Sequence, residues 1–226
     1  REFAKDANLT TLQAIPLAAV SGDNVLKRSE NTPWYKGPTL FDHMDTVSVK
    51  EVATREAFRL PVQWVSRPNL NYRGFCGRIA EGSVKAGDAV RVLPSGKTTT
   101  VKSIDFFEDQ LPEAEAGASI TLTLNDEVDV SRGDLIVTTD HPPEVADQFQ
   151  VKLLWLSEEP LVPGRSYWLK VHAKEVSATV MEIKYREDIN TGSHLAAKVL
   201  NLNEIAVVTI STTHPVAFEP YTVNRT

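Results

Sequence analysis

Several residues in this 226-residue chain are of types that could do chemistry. Gly96-Lys97-Thr98 has the residue order of a phosphate-binding loop, in which backbone N–H groups wrap phosphate oxygens ahead of a helix. Such a loop also needs a glycine five positions before its Gly-Lys pair. That position is Arg91, inside a strand-forming run, and no helical run follows, so the segment reads as an exposed hairpin turn. The five histidines, His43, His141, His172, His194 and His214, lie far apart, whereas a metal needs several converging ligands. Cys76, between Phe75 and Gly77, reads as a small buried hydrophobe, since no neighbour signals a base. Glu158-Glu159 and the acidic residues 113–115 supply paired carboxylates, but nothing beside them recommends an acid–base pair. No catalytic residue and no metal ligand is assigned.

A denser grouping is Arg67, Asn69, Tyr72 and Arg73. Guanidinium forks, an amide and an aromatic anchor within seven residues match the composition favoured at interface hot spots. The same residues equally suit a loop packed on an adjacent domain.

The elements that must position these residues are mostly strands. From Phe58 the apolar period is two: Leu60, Val62 and Trp64 alternate with Pro61, Gln63 and Val65. Runs at 75–80 and 89–93 follow, with turns at Glu81-Gly82 and Lys85-Ala86-Gly87-Asp88. Pro94-Ser95-Gly96-Lys97 turns the chain into a strand at 98–104. Ile120, Leu122 and Leu124 alternate with threonines, and Arg132-Gly133-Asp134 turns into a last strand. Turns this closely spaced suit an antiparallel barrel. His141-Pro142-Pro143 marks a boundary, because consecutive prolines cannot continue a central strand. Beyond it, runs at 149–156, 166–172, 176–185, 195–202 and 205–211 predict a second all-β unit.

Ahead of the strands, residues 1–9 read as a helix tail and 11–20 as a β-compatible run interrupted by Pro16. Ser21-Gly22-Asp23-Asn24 turns the chain. Thr39 is placed to cap a helix with Asp42 in a capping box, and Leu40, Met44 and Val47 share one face. The charged residues of 50–56 read as a linker.

Hydrophobic content of 42% with 24% charged residues is that of a globular protein. No run is long and apolar enough for a membrane span, and no leader opens the chain. A single cysteine excludes an internal disulfide and fits a reducing cytoplasm, the expected location. The formal charge of −6 with scattered Lys and Arg argues against a nucleic-acid partner.

Together, the glycine-bounded strand at 75–80, the Gly87-Asp88 turn and the Arg132-Gly133-Asp134 turn resemble the barrel domain of translation-factor GTPases. The Arg67-Pro68-Asn69 opening and Tyr72-Arg73-Gly74 narrow the likeness to the GTPase (large) subunit of the heterodimeric bacterial sulfate adenylyltransferase. Glu158-Glu159-Pro160, Pro163-Gly164-Arg165, Leu202-Asn203-Glu204-Ile205 and the closing residues 220–226 are similar to the same family. The resemblance implies a mainly β fold of two consecutive antiparallel β-barrels, like elongation factor Tu domains 2 and 3. The C-terminal strand and helix of an α/β GTPase domain would precede them. Residues 1–57 would be that remnant and a linker, 58–140 the first barrel, and 141–226 the second.

The segment at 15–25 resembles the family's guanine-proximal loop, with Ala18 where the family has serine. The resemblance implies backbone contacts to guanine from Ala18, Ala19 and Val20. GTP and Mg²⁺ would be bound mainly by a part of the subunit ahead of Arg1, and the segment alone would be inactive. The implied activity is GTP hydrolysis coupled to formation of adenosine 5′-phosphosulfate and pyrophosphate from ATP and sulfate by a small catalytic subunit. Arg67, Asn69, Tyr72 and Arg73 are the candidates for that subunit's interface, and no membrane or nucleic-acid partner is implied. The alternatives are a translation-elongation-factor fragment and a stand-alone barrel binding module.

Overall fold

The computed structural model describes residues 12–47 and 57–220, in two units, Arg1–Ala53 and Thr54–Thr226. Asn24 is the fixed point of the first. Its side chain is 1% exposed. It donates from Nδ2 to Pro16 O and Thr32 Oγ1, both at 2.8 Å, and accepts from the Ser29 N–H at 2.9 Å. Its carbonyl accepts from the Leu40 N–H at 2.9 Å, which ties this loop to helix α1, Leu40–Thr46. The helix starts with the capping box expected from the sequence. The Thr39 hydroxyl accepts from the Asp42 N–H, and the Asp42 carboxylate accepts from the Thr39 N–H.

One other expectation for this unit is not met. Residues 12–17 form no strand, and Ala18 makes only an isolated bridge to Asp23. Pro16 has no N–H to give a ladder, and no neighbouring strand offers one among the described residues. The side chains of Leu40, Met44 and Val47 are not buried among the described residues. No residue of α1 is buried, and Met44 is 61% exposed. The helix tail at 1–9, the linker at 50–56 and the segment after Pro220 lie outside the described residues.

In the second unit, β1 (Arg59–Pro61), β2 (Trp64–Ser66), β3 (Gly74–Arg78), β5 (Ala89–Leu93), β6 (Thr98–Phe106), β9 (Ser119–Leu124) and β10 (Leu135–Thr138) form one antiparallel sheet. β4 (Ser83–Lys85) pairs with β8 (Glu113–Glu115), and β7 (Asp109–Leu111) extends β6. The strand order is β1-β10-β5-β6-β9-β3-β2. The two ends of this path, β1 and β2, are consecutive in sequence, so one short run closes the sheet into a barrel.

The closure happens at Val62-Gln63. Val62 exchanges backbone hydrogen bonds with Gly133 and Asp134 beside β10, whereas the Gln63 N–H donates to Cys76 O on β3 at 2.8 Å. This change of partner breaks the expected alternation. Phe58, Leu60 and Val62 are fully buried, but Trp64 is 64% exposed and Val65 packs on the core instead. Corners of this kind shift the side-chain phase by one. Closure also brings β1 against Gly77, where an added Cβ would lie 2.3 Å from Pro61 O.

The remaining strands are β11 (Glu144–Leu154), β12 (Ser166–Val171), β13 (Lys174–Glu187), β14 (His194–Leu195) and β15 (Ile205–Phe218), in the order β11-β15-β13-β12 with β14 on β13. Val151 of β11 and Leu169 of β12 pack on the same core as Val180 and Val208. Both outer strands of the path therefore wrap around one interior. The run predicted at 195–202 is a strand only at its start. Leu200 instead pairs with Leu161 in an isolated bridge, and both side chains are buried in that core. β15 runs past the expected end at Ser211, with Pro215 falling in a break of the β11–β15 register where no ladder bond is required.

The two sheets meet at a buried guanidinium. Arg59, 5% exposed, donates to Phe58 O at 3.0 Å, His141 O at 2.5 Å and Glu219 Oε1 at 2.9 Å. Beside it, Leu93, Leu135 and Val137 pack against Ala217. Gly133, at φ +92°, approaches Lys174 so closely that a Cβ would lie 2.8 Å from its Cα.

Two substitutions test this architecture by denaturant unfolding of the full chain. Gly77→Ala forces a methyl against the backbone of β1 and should cost about 1–3 kcal/mol, the usual range for overpacking. Arg59→Met removes a buried charge from its partner Glu219 and should cost about 3–5 kcal/mol. Unchanged midpoints would disprove the respective account.

Candidate functional site

Residues 67–73 connect β2 to β3. With β6, the β6–β7 hairpin and the segment after β9, they enclose a cleft of about 350 Å³. Its floor is a polar network built around Tyr72. Gly74 makes room for the Tyr72 ring, since a Cβ there would meet the Tyr72 Oη at 2.9 Å and Thr121 Cγ2 at 2.5 Å. The Tyr72 hydroxyl donates to Asp105 Oδ2 at 2.7 Å. Asp105 Oδ1 accepts from Ser103 Oγ at 2.9 Å and Gln110 Nε2 at 3.1 Å. Ser103 and Thr123 share a further hydrogen bond at 2.7 Å.

Arg73 stands on one wall. Its guanidinium carbon lies 5.5 Å from the Phe75 ring centre, and Nη2 donates to Asp129 Oδ1 and Val130 O, each at 3.3 Å. Arg67 and Lys102 also line the cleft and make no ion pair among the described residues. Asn69 does not line it. Its Oδ1 accepts from the Asn71 N–H at 2.9 Å, which shapes the loop from within. The structure thus gathers Arg67, Tyr72 and Arg73 at one cleft and leaves Asn69 as a support.

Sequence reasoning missed Lys102, Ser103, Asp105, Gln110 and Thr123, which come from distant strands. Their signal was faint. A register shift in β6 between Val101 and Ser103 disturbs the alternation that would have marked them as one outward face.

The second candidate is the turn at Ala18, Ala19 and Val20. Ala18 exchanges backbone hydrogen bonds with Asp23, at 3.4 and 3.1 Å. The Asp23 carboxylate accepts from Ser21 Oγ at 2.5 Å, from Ser29 Oγ, and from Asn31 Nδ2 at 3.1 Å. Hydrogen bonds from Ser21 and then Ser29 hold its pKa below the ordinary carboxylate value. The turn is therefore fastened by Asp23, although Ala18 has no hydroxyl to contribute. The N–H groups of Ala19 and Val20 make no hydrogen bond among the described residues, and Val20 is fully exposed.

Gly96 and Lys97 lie in the turn between β5 and β6, and Thr98 opens β6. Gly96, at φ +75°, donates to Val92 O at 2.7 Å, and a strand follows it. The phosphate-loop reading is thereby excluded. Among the described residues no three His, Cys, Asp or Glu side chains are grouped to hold a metal, and no helix is long and apolar enough to cross a membrane.

Tyr72 offers a direct check on the cleft. Burial, then its hydrogen bond to Asp105 and the charge of that carboxylate, push its pKa up to about 12 from 10.0. The folded state therefore keeps the proton longer than the unfolded state, and this contribution to stability is complete below pH 10 and lost as pH rises from 10 towards 12. Alkaline titration by phenolate absorbance should show a late component that disappears in Tyr72→Phe. A Tyr72→Phe titration identical to wild type would refute the network.

Comparison with known proteins follows the same outline. Residues 76–137 match the family model for elongation factor Tu domain 2, and residues 148–226 that for the GTP-eEF1A C-terminal domain-like family. The bifunctional enzyme NodQ of Rhizobium sp. (strain N33) is 47% identical over all of this chain, which covers 35% of it. Sulfate adenylyltransferase subunit 1 of Aliarcobacter butzleri (strain RM4018) is 45% identical over 99% of this chain, which covers 48% of it. The chain thus spans less than half the length of these two curated relatives. Among solved structures, Sup35 complexed with GMPPNP superimposes with a TM-score of 0.69 at 22% identity, over 93% of this chain and 52% of that one. That likeness shows that this chain shares the fold of the matched half of that structure. With 45% identity over 99% of its length, the chain is similar to sulfate adenylyltransferase subunit 1 across about half of that protein.

Proposed function

We propose that this chain is the C-terminal part of the GTPase subunit of a sulfate adenylyltransferase. On this reading residues 1–57 end the GTPase domain, 58–140 form the first barrel and 141–226 the second. The carrying observation is the 45% identity with subunit 1 of Aliarcobacter butzleri across 99% of the chain.

In the reaction a sulfate oxygen attacks the α-phosphorus of ATP on a small catalytic subunit, and pyrophosphate leaves. The phosphosulfate anhydride lies uphill, so a second, exergonic hydrolysis must be coupled to its formation through a conformational equilibrium. GTP with Mg²⁺ supplies that hydrolysis in the complete subunit. The amides of Ala19 and Val20 face the guanine base, while Asp23 fixes the turn that presents them. The barrels carry the nucleotide-dependent movement to the partner. Arg67, Tyr72 and Arg73, with Asn69 shaping their loop, form the contact surface. The work takes place in the cytoplasm.

The test uses the complete subunit mixed with the second subunit, with phosphosulfate output measured with and without GTP. Wild type should produce it, with stimulation by GTP. Arg73→Ala should cut the stimulated output by roughly tenfold or more, as expected for an interface anchor, with little change in melting temperature. No phosphosulfate from the wild-type mixture would end this assignment. A variant that melts far lower yet keeps its coupling would make Arg73 a structural residue.

A further inference from the structure

We infer that the cleft of the first barrel docks a protein segment of the second subunit that presents an apolar side chain between balanced charges, with Leu70 and Phe107 as its anchors. The identity of the partner rests on the proposed function. The anchors and the chemistry of the segment come from the barrel itself.

Phe107 occupies the tip of the two-residue hairpin between β6 and β7, where Phe106 pairs with Asp109. Its φ is +53°, in the left-handed region. Hairpins of this length favour glycine or asparagine at such positions, and a bulky residue there is strained. Packing does not explain the choice. The side chain is 93% exposed, and its one aromatic contact is edge-on to Phe106 at 4.8 Å. Strained residues persist where function keeps them. The same hairpin contributes Asp105 and Gln110 to the cleft, and on the loop side Leu70, 88% exposed, lines it as well.

The character of the occupant follows from the lining. Arg67, Arg73 and Lys102 are matched by Asp105, Asp126 and Glu127, so the formal charges cancel. A nucleic-acid backbone requires a basic surface, which this cleft does not provide. The floor hydroxyls of Tyr72, Ser103 and Thr123 are already committed to Asp105 and to each other, so the floor offers no free hydroxyl donor, and the charges of Arg67 and Lys102 on the walls are offset by the carboxylates of the same lining. Exposed Leu70 beside arginine and tyrosine in the lining, with exposed Phe107 at the tip of the adjoining hairpin, instead suits a protein–protein contact over a satisfied polar floor.

The experiment measures association of the complete subunit with the second subunit by calorimetry, at low and at high salt. Leu70→Asp and Phe107→Asn should each weaken the Kd at least tenfold, and by the same factor at both salt concentrations. Phe107→Asn should melt no lower than wild type, because asparagine suits the left-handed position better. Wild-type affinity in both variants overturns the inference and leaves the proposed function standing. No association of the wild-type proteins overturns the proposed function and the inference with it. Tight binding of polyuridine, steeply weakened by salt and lost in the two variants, assigns the cleft to nucleic acid and also overturns the inference.

Discussion

The second unit depends on how a single guanidinium is housed. Arg59 lies in the first strand of one sheet, and its acceptors include His141 O and Glu219 beyond that sheet's last strand. Replacing a buried ion pair with apolar groups is often neutral in stability, whereas removing one partner is costly. The pair therefore contributes little as a net attraction and a great deal as a constraint. Any arrangement of the two sheets that takes Glu219 or the His141 carbonyl away leaves a buried charge without compensation. The apolar contact of Leu93, Leu135 and Val137 with Ala217 and the close approach at Gly133 are satisfied by the same arrangement, so three unlike interactions select one geometry.

The cleft inherits this rigidity through the closure of the first barrel. Tyr72 reaches Asp105 across 33 residues of sequence, and Ser103 reaches Thr123 across 20. Neither bond can form until β3, β6 and β9 are side by side, which requires the run from β1 to β2 to change partners at Val62-Gln63. Gly74 and Gly77 permit this, one by admitting the Tyr72 ring and the other by admitting the β1 backbone.

Much of this was legible in the sequence because its causes are local. The capping box at Thr39 and Asp42, the turn at Gly96 and the alternation of Ile120 and Leu122 depend on residues within a few positions of each other. The expectations that failed had causes elsewhere. Trp64 follows the period of Leu60 and Val62, yet the change of strand partner turns it outward. Residues 12–17 have strand-forming side chains, but a strand needs a ladder that sequence pattern does not supply. Leu200 reads as strand and is used to pair with Leu161. At the candidate site, Arg67, Tyr72 and Arg73 were found because they share one loop. Asp105 and Thr123 were missed because their meeting is a product of the barrel, and Asn69 was misplaced because composition does not say which member of a loop holds it in shape.

The two units are held together internally by different physics, and this bears on how a nucleotide signal could pass along the chain. Among its described residues the first buries only the side chains of Asn24 and Thr39, and it has a seven-residue helix with no buried residue and a turn fastened by hydrogen bonds to Asp23. A helix of that length has no stability of its own in water. Segments with few buried apolar contacts open at low free-energy cost, whereas dry, closed cores do not. In the second unit Phe58, Leu60, Leu122 and Ile136 are wholly buried in one core and Leu200 and Val208 in the other. Under the proposed function, internal change is most costly inside the barrels. Such cores suit coupling, because a rigid body transmits displacement without absorbing it, and the cleft at Tyr72 is built into the rigid part.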